Sequence, residues 1–455
     1  MNQIIKKNKE YIVDIIDNGY EGEGIAKIND FVIFIPGTIK GEKVKILIVK
    51  VTSSHAFGKV VEILKKSDSR NEIIDCLTYK RCGGCNLRHI KYEETLKIKK
   101  EIVQNLVNKN LKSKVKIKDV IGMENTLNYR NKAQFPLGLD KKGNPIIGVF
   151  ANRTHEVIEF ENCFIQNKES QEIAKYICKF IKEKNISVYD EKTGKGLFRH
   201  IAIKVGFKTK EIMCVLVING EKFKEEEELI QCLIRQFPNI KTIVKNINTK
   251  NTNVILGHDN INIYGDGYIY DKLGNYTFKI SPLSFYQINP IQTEKLYNIA
   301  LKEAELTGKE IVFDLYCGIG TIGIYMAKQA RKVYGIEIVK QAIEDAKENC
   351  KINNIDNAEY YVGDTQELLT DFIENRKIRP DVIVVDPPRK GLDNITIENI
   401  LKIKSKKVIY ISCNPATLMR DLSKLEETYK IQKIQPVDMF PYTSHVECIS
   451  LLSLR

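Results

Sequence analysis

From about residue 280 onward, the chain alternates short apolar runs with segments of helical spacing. The apolar runs are EIVFDLYCG, KVYGIEI, DVIVVDPP and KVIYISC. Strands that are buried on both faces read as continuous hydrophobic runs, and helices return the chain between parallel neighbours. The alternation therefore predicts a doubly wound parallel sheet, which binds its ligands at the carboxyl ends of its strands.

Two regions with different patterns precede this sheet. Residues 8 to 65 contain short alternating strands separated by glycines, as in a small β-barrel. Strand-like runs such as HIAIKVG then alternate with helical segments such as KESQEIAKYICKFIKEK, which predicts an α+β middle region. Because 455 residues exceed what one hydrophobic core organises, we expect three domains, at 1–66, 67–275 and 276–455.

The chain is basic, with 71 lysines and arginines against 58 aspartates and glutamates. This excess favours a polyanionic partner. Residues 97–118 carry eight lysines and one acid, Glu101, although a solvated lysine-rich face explains the run equally well. No stretch is apolar enough to span a membrane, and no secretory signal opens the chain, so we expect a cytoplasmic protein with no obligate protein partner evident.

Three cysteines lie close together, where Cys76, Cys82 and Cys85 form the pattern C-x5-C-x2-C. Cys163 is a candidate fourth ligand that the fold would have to bring in. In a cytoplasmic chain this density favours metal ligation over disulfides and over inert buried thiols. Four thiolates bind either a structural zinc ion or an iron–sulfur cluster, and the spacing leaves both open.

A glycine-rich turn follows the first strand of the predicted sheet. Gly318, Gly320 and Gly323 form G-x-G-x-x-G, and Glu337 closes the next strand, where it would hold ribose hydroxyls. The same pattern occurs in nicotinamide-dependent oxidoreductases, which are the alternative reading of this turn. Asp314 stands before the turn, and a carboxylate there suits a sulfonium-bearing amino-acid cofactor, S-adenosylmethionine, better than a diphosphate.

Two further strand ends supply chemistry for modifying a nucleic-acid base. Asp386-Pro387-Pro388-Arg389 ends one strand, and a D-P-P turn also occurs in enzymes that methylate exocyclic amines, so it predicts base methylation without its position. Cys413 ends the next strand directly before a helix. The N–H groups at the start of that helix would favour a thiolate.

A cysteine thiolate has a specific use in methylating uracil. Carbon 5 of uracil is a poor nucleophile until a thiolate adds to carbon 6, and a base must then remove the hydrogen on carbon 5. Glu447, before the last strand, is the candidate base. Two alternatives stay open: an amine methyltransferase would not need Cys413, and a non-catalytic RNA chaperone or ribosome-assembly factor would need only the barrel, the cysteines and the lysines.

Five motifs occur in a fixed order along the second half of the chain. They are S-P-x-S-F-x-Q-x-N from Ser281 to Asn289, D-L-Y-C-G-x-G from Asp314 to Gly320, D-P-P-R-x-G from Asp386 to Gly391, S-C-N-P-A-T from Ser412 to Thr417 and H-V-E from His445 to Glu447. Together they resemble the RNA uracil-5-methyltransferase family, its bacterial ribosomal-RNA members most of all. The N-terminal strands resemble a TRAM domain, an OB-like RNA-binding barrel, through Gly22, Gly24, Ala26 and the strand end at Pro36-Gly37.

This resemblance implies a Rossmann-like C-terminal domain that transfers a methyl group from S-adenosylmethionine to carbon 5 of a uridine in RNA, with 23S rRNA as the first expectation and tRNA as the alternative. It implies Cys413 as the nucleophile and Glu447 as the proton acceptor. The residues that would contact the cofactor are Gln287, Tyr316, Glu337, Asp364 and Asp386. Those that would carry a four-iron, four-sulfur cluster are Cys76, Cys82, Cys85 and Cys163. The basic segment 97–118 is expected to pack on the catalytic domain.

Overall fold

The computed structural model describes residues 5–72 and 74–455. Its N-terminal sheet has the strand order β1-β5-β6-β4-β3-β2 and curls into the expected small barrel. Every second residue faces the barrel interior, where Ile33, Ile35, Ile46 and Ala56 are fully buried. The strands are β1 (Glu10–Asp14), β2 (Asp17–Asn18), β3 (Gly24–Ile28), β4 (Phe31–Ile35), β5 (Lys43–Val51) and β6 (His55–Lys65).

A long helix and a short strand follow the cysteine-rich loop. These are α1 (Tyr92–Asn110) and β7 (Lys116–Ile117). The middle region then forms a sheet in the order β10-β9-β8-β11-β12-β13-β14. Its elements are β8 (Lys132–Leu139), β9 (Pro145–Phe150), β10 (Val157–Glu159), α2 (Lys168–Glu183), β11 (Phe198–Val205), β12 (Ile212–Ile218), α3 (Glu226–Gln236), β13 (Ile240–Ile247) and β14 (Asp259–Tyr264).

The middle sheet is covered on both faces, which is why β11 and β12 are buried along their whole length. One face packs against α2 and α3, with Ile173, Ile177 and Leu233 in the shared core. The other face contributes Val215 and Val244 to the core of the C-terminal region. The middle and C-terminal regions therefore share one apolar interface.

The C-terminal region begins with a hairpin and a helix and continues with the predicted alternation. Its elements are β15 (Ile269–Leu273), β16 (Tyr276–Ile280), α4 (Pro290–Ala304), β17 (Ile311–Leu315), α5 (Thr321–Ala327), β18 (Lys332–Glu337), α6 (Lys340–Ile352), β19 (Ala358–Val362), α7 (Thr365–Glu374), β20 (Val382–Val385), α8 (Asn394–Ile403), β21 (Lys407–Ser412), α9 (Pro415–Leu425), β22 (Tyr429–Val437) and β23 (Glu447–Leu454).

This last sheet has the order β19-β18-β17-β20-β21-β23-β22-β7. The strands from β19 to β21 are parallel, which confirms the Rossmann-like prediction for that part. The sheet then departs from the predicted parallel pattern, because β23 runs antiparallel to both β21 and β22. As a result, the start of β23 lies at the same edge as the end of β21.

The basic segment after the cysteine loop packs on the C-terminal region, as expected. Helix α1 lies against α9, and β7 pairs with the edge strand β22 through Lys116 and Lys433. The Nζ atom of Lys99 is fully buried and lies 2.5 Å from Asp438, whereas Lys97 two residues earlier is exposed. The lysine run is therefore partly a packed face and partly a solvated one. Among the described helices, none is both long and apolar enough to cross a lipid bilayer.

Candidate active site

The sequence-predicted residues collect at one edge of the C-terminal sheet. Each of the parallel strands ends at or just before one of them, in the order Asp364 after β19, Glu337 at the end of β18, Tyr316 after β17, Asp386 after β20 and Cys413 after β21. Glu447 joins this row because it opens the antiparallel β23. Open α/β sheets bind ligands at this edge, so the chain brings its candidate residues to the position where chemistry is expected.

The glycine turn is held against two carboxylates. Gly318 and Gly320 have positive φ angles of 53° and 78°, which favour residues without a Cβ. The backbone N–H of Gly318 donates to Glu337 at 3.2 Å, and that of Gly323 donates to Oδ2 of Asp314 at 2.8 Å. The second oxygen of Asp314 is buried and has no hydrogen-bond partner among the described residues. A cationic or N–H-bearing cofactor group would satisfy that oxygen.

Burial, together with the nearby Asp386 and Glu337, raises the pKa of Asp314 to about 7, against the hydrogen bond from Gly323, which lowers it. Three acidic groups therefore face one another around the turn. Such a site binds a positively charged ligand, because a cation lowers the free energy of all three carboxylates at once. The residues present thus fit S-adenosylmethionine, whose sulfonium and amino groups are positive.

Three further predicted cofactor residues differ in how they are held. Tyr316 has a positive φ of 63° and donates to Asp393 at 3.4 Å. Asp364 caps α7, accepting from the N–H of Gln366 at 2.8 Å, so one of its oxygens is already engaged. Gln287 lies in the loop between β16 and α4, which Asn131 fixes by donating to the carbonyl of Gln287 at 2.9 Å. The Gln287 side chain has no hydrogen-bond partner on the described part of the chain.

The candidate nucleophile and base lie next to each other. Ser412 is paired with Cys448 across β21 and β23, so Cys413 and Glu447 are neighbours where the two strands meet the edge. Burial, and to a smaller extent the nearby Asp386, raise the pKa of Glu447 to about 8. Burial raises the pKa of Asp386 to about 7. Glu447 and Asp386 thus join Asp314 as carboxyl groups of the site whose pKa values lie near neutral pH.

The thiol of Cys413 differs from the sequence-based expectation. Its pKa is raised to about 11, by burial first and then by Glu447 and Asp386, although the thiol lies just before the start of α9 at Pro415. Arg389, from the D-P-P-R turn, acts in the opposite direction and lowers the pKa of Cys413 and of Glu447. We did not single out the Arg389 side chain from the sequence, although it lies in a motif that we had identified.

An open channel of about 590 Å³ leads to Cys413. Its walls come from the barrel, the cysteine loop, the middle region and the C-terminal sheet, and they include Tyr20, Phe57, Asn86, Arg153 and His445. The Tyr20 hydroxyl donates to Oδ1 of Asn414, the residue after Cys413, at 2.9 Å. The barrel therefore contacts the nucleophile's own turn. No sequence signal could have linked two residues 394 positions apart.

The four candidate cluster ligands surround a second, smaller cavity of about 70 Å³. Cys76, Cys82, Cys85 and Cys163 all line it, so the fold does bring Cys163 to the other three. Apolar side chains such as Val149 and Phe160 complete the wall. Within residues 5–72 and 74–455, no group of three or more histidines, cysteines or carboxylates is arranged to hold a single metal ion.

The α/β sheet, the glycine turn and the buried Oδ1 of Asp314 without a partner fit S-adenosylmethionine, and the family match and the relatives show that this chain is an S-adenosylmethionine-dependent methyltransferase. Within the class, it belongs to the tRNA (uracil-5-)-methyltransferase family, whose model matches residues 91–455. Residues 6–61 match the TRAM domain, which confirms the N-terminal prediction.

Curated relatives cover nearly the whole chain. RNA methyltransferases from Clostridium acetobutylicum and Staphylococcus aureus are 48% and 43% identical, over 98% and 100% of both chains. Among solved structures, the fold is similar to that of Pyrococcus abyssi tRNA (uracil-54, C5)-methyltransferase in complex with S-adenosyl-L-homocysteine. The two share 26% identity with a TM-score of 0.78, over 97% of this chain and 100% of that one. The family prediction is thereby confirmed, and the nicotinamide alternative is set aside.

Proposed function

We propose that this enzyme methylates carbon 5 of a uridine in RNA through a covalent intermediate on Cys413. The observation that carries the proposal is the adjacency of Cys413 and Glu447 at the mouth of an open channel. An amine methyltransferase has no use for a thiol beside a buried carboxylate, and a purely RNA-binding factor has no use for either.

In the proposed reaction, Cys413 gives its proton to solvent and the thiolate sulfur adds to carbon 6 of uracil; the sulfur regains a proton from solvent after it leaves. The ring becomes an enolate, and its carbon 5 takes the methyl group, which leaves S-adenosylhomocysteine. Glu447 then accepts the proton from carbon 5, and the sulfur leaves as the ring regains its double bond. The balance is one methyl group gained and one proton lost by the base, with no net oxidation.

The raised pKa of Glu447 makes its carboxylate a stronger proton acceptor than an exposed glutamate. The pKa of Cys413 is raised to about 11, so its ionisation is the costly step, and Arg389 is the side chain that favours it. For the cofactor, we assign contacts to Gln287, Tyr316 and Glu337 and to Asp364 and Asp386. Three features support that assignment. The side chain of Gln287 has no hydrogen-bond partner among the described residues, Oδ1 of Asp314 is buried without one, and the pKa of Asp386 is raised to about 7.

For the second cavity, we propose a four-iron, four-sulfur cluster on Cys76, Cys82, Cys85 and Cys163. Thiols that surround a cavity without converging on one point suit a cluster, in which each iron takes one cysteine, better than a single zinc ion. The group would act structurally, because it would join the loop at Cys82 to the middle sheet, where Cys82 already pairs with Ala151.

We propose 23S rRNA as the substrate and the cytoplasm as the location, with tRNA as the alternative. The tRNA alternative has support from the name of the archaeal structure to which the fold is similar. The domain limits 1–66, 67–275 and 276–455 are likewise proposed as units of function. These limits divide the sequence and not the three-dimensional structure, because α1 packs on the C-terminal region and β7 is the edge strand of its sheet.

The decisive experiment maps 5-methyluridine in total RNA from cells with and without this protein. Loss of the modified base from one rRNA or tRNA position supports the reaction and identifies the substrate. The Cys413→Ala variant should fail to restore it while still binding S-adenosylmethionine, as measured by calorimetry. Restoration by that variant would rule out the covalent scheme, and an unchanged modification map would rule out the function.

A further inference from the structure

Two aromatic rings of the barrel lie on its outer face and not in its hydrophobic core. In β4 and β6, Ile33, Ile35 and Ala56 point inward and are fully buried, whereas Phe34 and Phe57 alternate with them and point outward. Neither ring belongs to the barrel's hydrophobic cluster. Two outward phenylalanines add nothing to the core and leave apolar surface in contact with water, so their position calls for a binding partner.

The two rings form one surface. Phe34 and Phe57 are directly paired across the parallel strands β4 and β6, and their ring centroids lie 5.9 Å apart with a tilt of 36°. His55 packs edge-on against both rings, at interplanar angles of 76° and 80°, with its ring centroid 5.4 Å from that of Phe34 and 5.1 Å from that of Phe57. We call Phe34 and Phe57 with His55 the aromatic shelf. Flat, half-buried rings of this kind stack on nucleobases that have left their helix.

The aromatic shelf opens into the same channel as the nucleophile. Phe34, Phe57 and Cys413 all line it, without an intervening wall. The charged side chains of the channel are balanced, since Arg153 and Arg389 face Glu21 and Glu23. The rings rather than net charge therefore offer the main attraction for a ligand at this end, which favours a base over a phosphate.

The barrel is also tied to the catalytic turn. The hydrogen bond from Tyr20 to Asn414 joins the barrel to the residue after the nucleophile. A second tie is the ion pair between Glu21 and Arg153, at 3.3 Å, which joins the barrel to the middle region. These contacts hold the barrel beside the catalytic turn, so an RNA strand with its uridine at Cys413 would pass the aromatic shelf in the same channel.

We propose that the aromatic shelf binds an unstacked nucleobase close to the target uridine on the same RNA strand, and that the barrel thereby selects the nucleotide context of methylation. This rests on the proposed function, because the channel must hold a target uridine. It goes beyond general RNA binding by the barrel, since it assigns one base to one pair of rings within the catalytic channel.

The test combines protein and RNA changes. The substrate is a transcript carrying the mapped uridine, made also as a set in which one flanking nucleotide at a time lacks its base. Replacing both Phe34 and Phe57 with alanine should lower kcat/KM on the intact RNA by roughly tenfold per ring. On the RNA that lacks the stacked base, the same variant should show almost no further loss. An equal loss on every RNA of the set would overturn the proposal, as would no loss at all.

Two controls separate stacking from folding. Val61→Ala removes a more exposed apolar group from the same strand as Phe57, outside the channel, and should leave kcat/KM unchanged. Phe57→Leu keeps apolar bulk without a flat ring, and it should remain impaired on intact RNA while unfolding at the normal temperature. Full activity of Phe57→Leu would show that bulk, not stacking, is what matters.

Cross-linking tests RNA binding by the aromatic shelf independently of whether the enzyme forms 5-methyluridine. Light-induced cross-linking of oligouridine containing 5-iodouridine should join RNA to the peptides that hold Phe34 or Phe57. Cross-links only elsewhere on the barrel would refute the aromatic shelf. Absence of methylation together with cross-links at these rings would refute the proposed reaction alone.

Discussion

Ser412 lies opposite Cys448 in the antiparallel pair of β21 and β23. This register brings Cys413, the candidate nucleophile, and Glu447, the candidate base 34 positions later, to the point where β21 ends and β23 begins. Two paired strands anchor that point, so little freedom has to be lost when a base enters the channel.

Replacing Glu447 with glutamine should trap the enzyme on its RNA. The amide cannot accept the proton from carbon 5, so the methylated adduct on Cys413 cannot release its sulfur. A denaturing gel should show a band of protein plus RNA that depends on S-adenosylmethionine. The double variant with Cys413→Ala serves as the control and should give no such band; if it does, the adduct forms elsewhere.

The rate should rise with pH across the neutral range. Glu447 has a pKa of about 8 and Asp386 one of about 7, both above the ordinary value, so both are largely protonated at pH 6. The base must be ionised to work, and activity is therefore lost as the pH falls through about 8. Single-turnover rates between pH 6 and 9 should increase, with a further rise as the Cys413 thiol ionises. A flat profile would contradict the assignment of Glu447.

The cysteine cavity should bind iron and sulfide when the protein is purified without oxygen. Cys85→Ser should lose both, with a lower unfolding temperature and weaker RNA binding, because the cluster would no longer hold the cysteine loop against the middle region at Cys163. Binding of S-adenosylmethionine should persist. Cys232→Ser is the matched control, since that cysteine lies on α3, outside the cavity. Stoichiometric zinc in place of iron would make the site a structural zinc site.

Breaking the buried ion pair of α1 should destabilise the whole enzyme. Lys99→Ala leaves the carboxylate of Asp438 fully buried without its cation, which costs about 3–5 kcal/mol of unfolding free energy. Urea unfolding would measure the loss. Lys97→Ala, on the same helix but exposed, should show no measurable change. Similar losses in both variants would mean that the buried ion pair is not the cause, because alanine favours a helix at least as much as lysine does.

Much of the site could be predicted because strand ends are visible in the sequence. Apolar runs such as DVIVVDPP mark where parallel strands stop, and the residues after them share one edge for topological reasons. The position of Glu447 could not be derived in this way. It depends on β23 running antiparallel, and that in turn depends on how the chain turns back between Val437 and Glu447.

The pKa of Cys413 and the contacts between distant parts of the chain could not be predicted, for a different reason. The start of α9 suggested a thiolate at Cys413, but burial beside two carboxylates decides its pKa, and burial cannot be read from neighbours in sequence. Tyr20 gave no signal at all, because its role arises only when the barrel docks on Asn414. The sequence predicts an α+β fold for the middle region, but it does not predict that the middle sheet shares a hydrophobic core with the C-terminal region.

The packing of α1 has a consequence for how the molecule is completed during translation. The ribosome releases Tyr92–Asn110 early, while α9 and β22, which cover the apolar side of that helix, are among the last residues made. Until synthesis is nearly finished, α1 therefore lacks its contacts with α9 and β22, and Lys99 lacks its partner Asp438. The folding of these last elements completes the packing around α1.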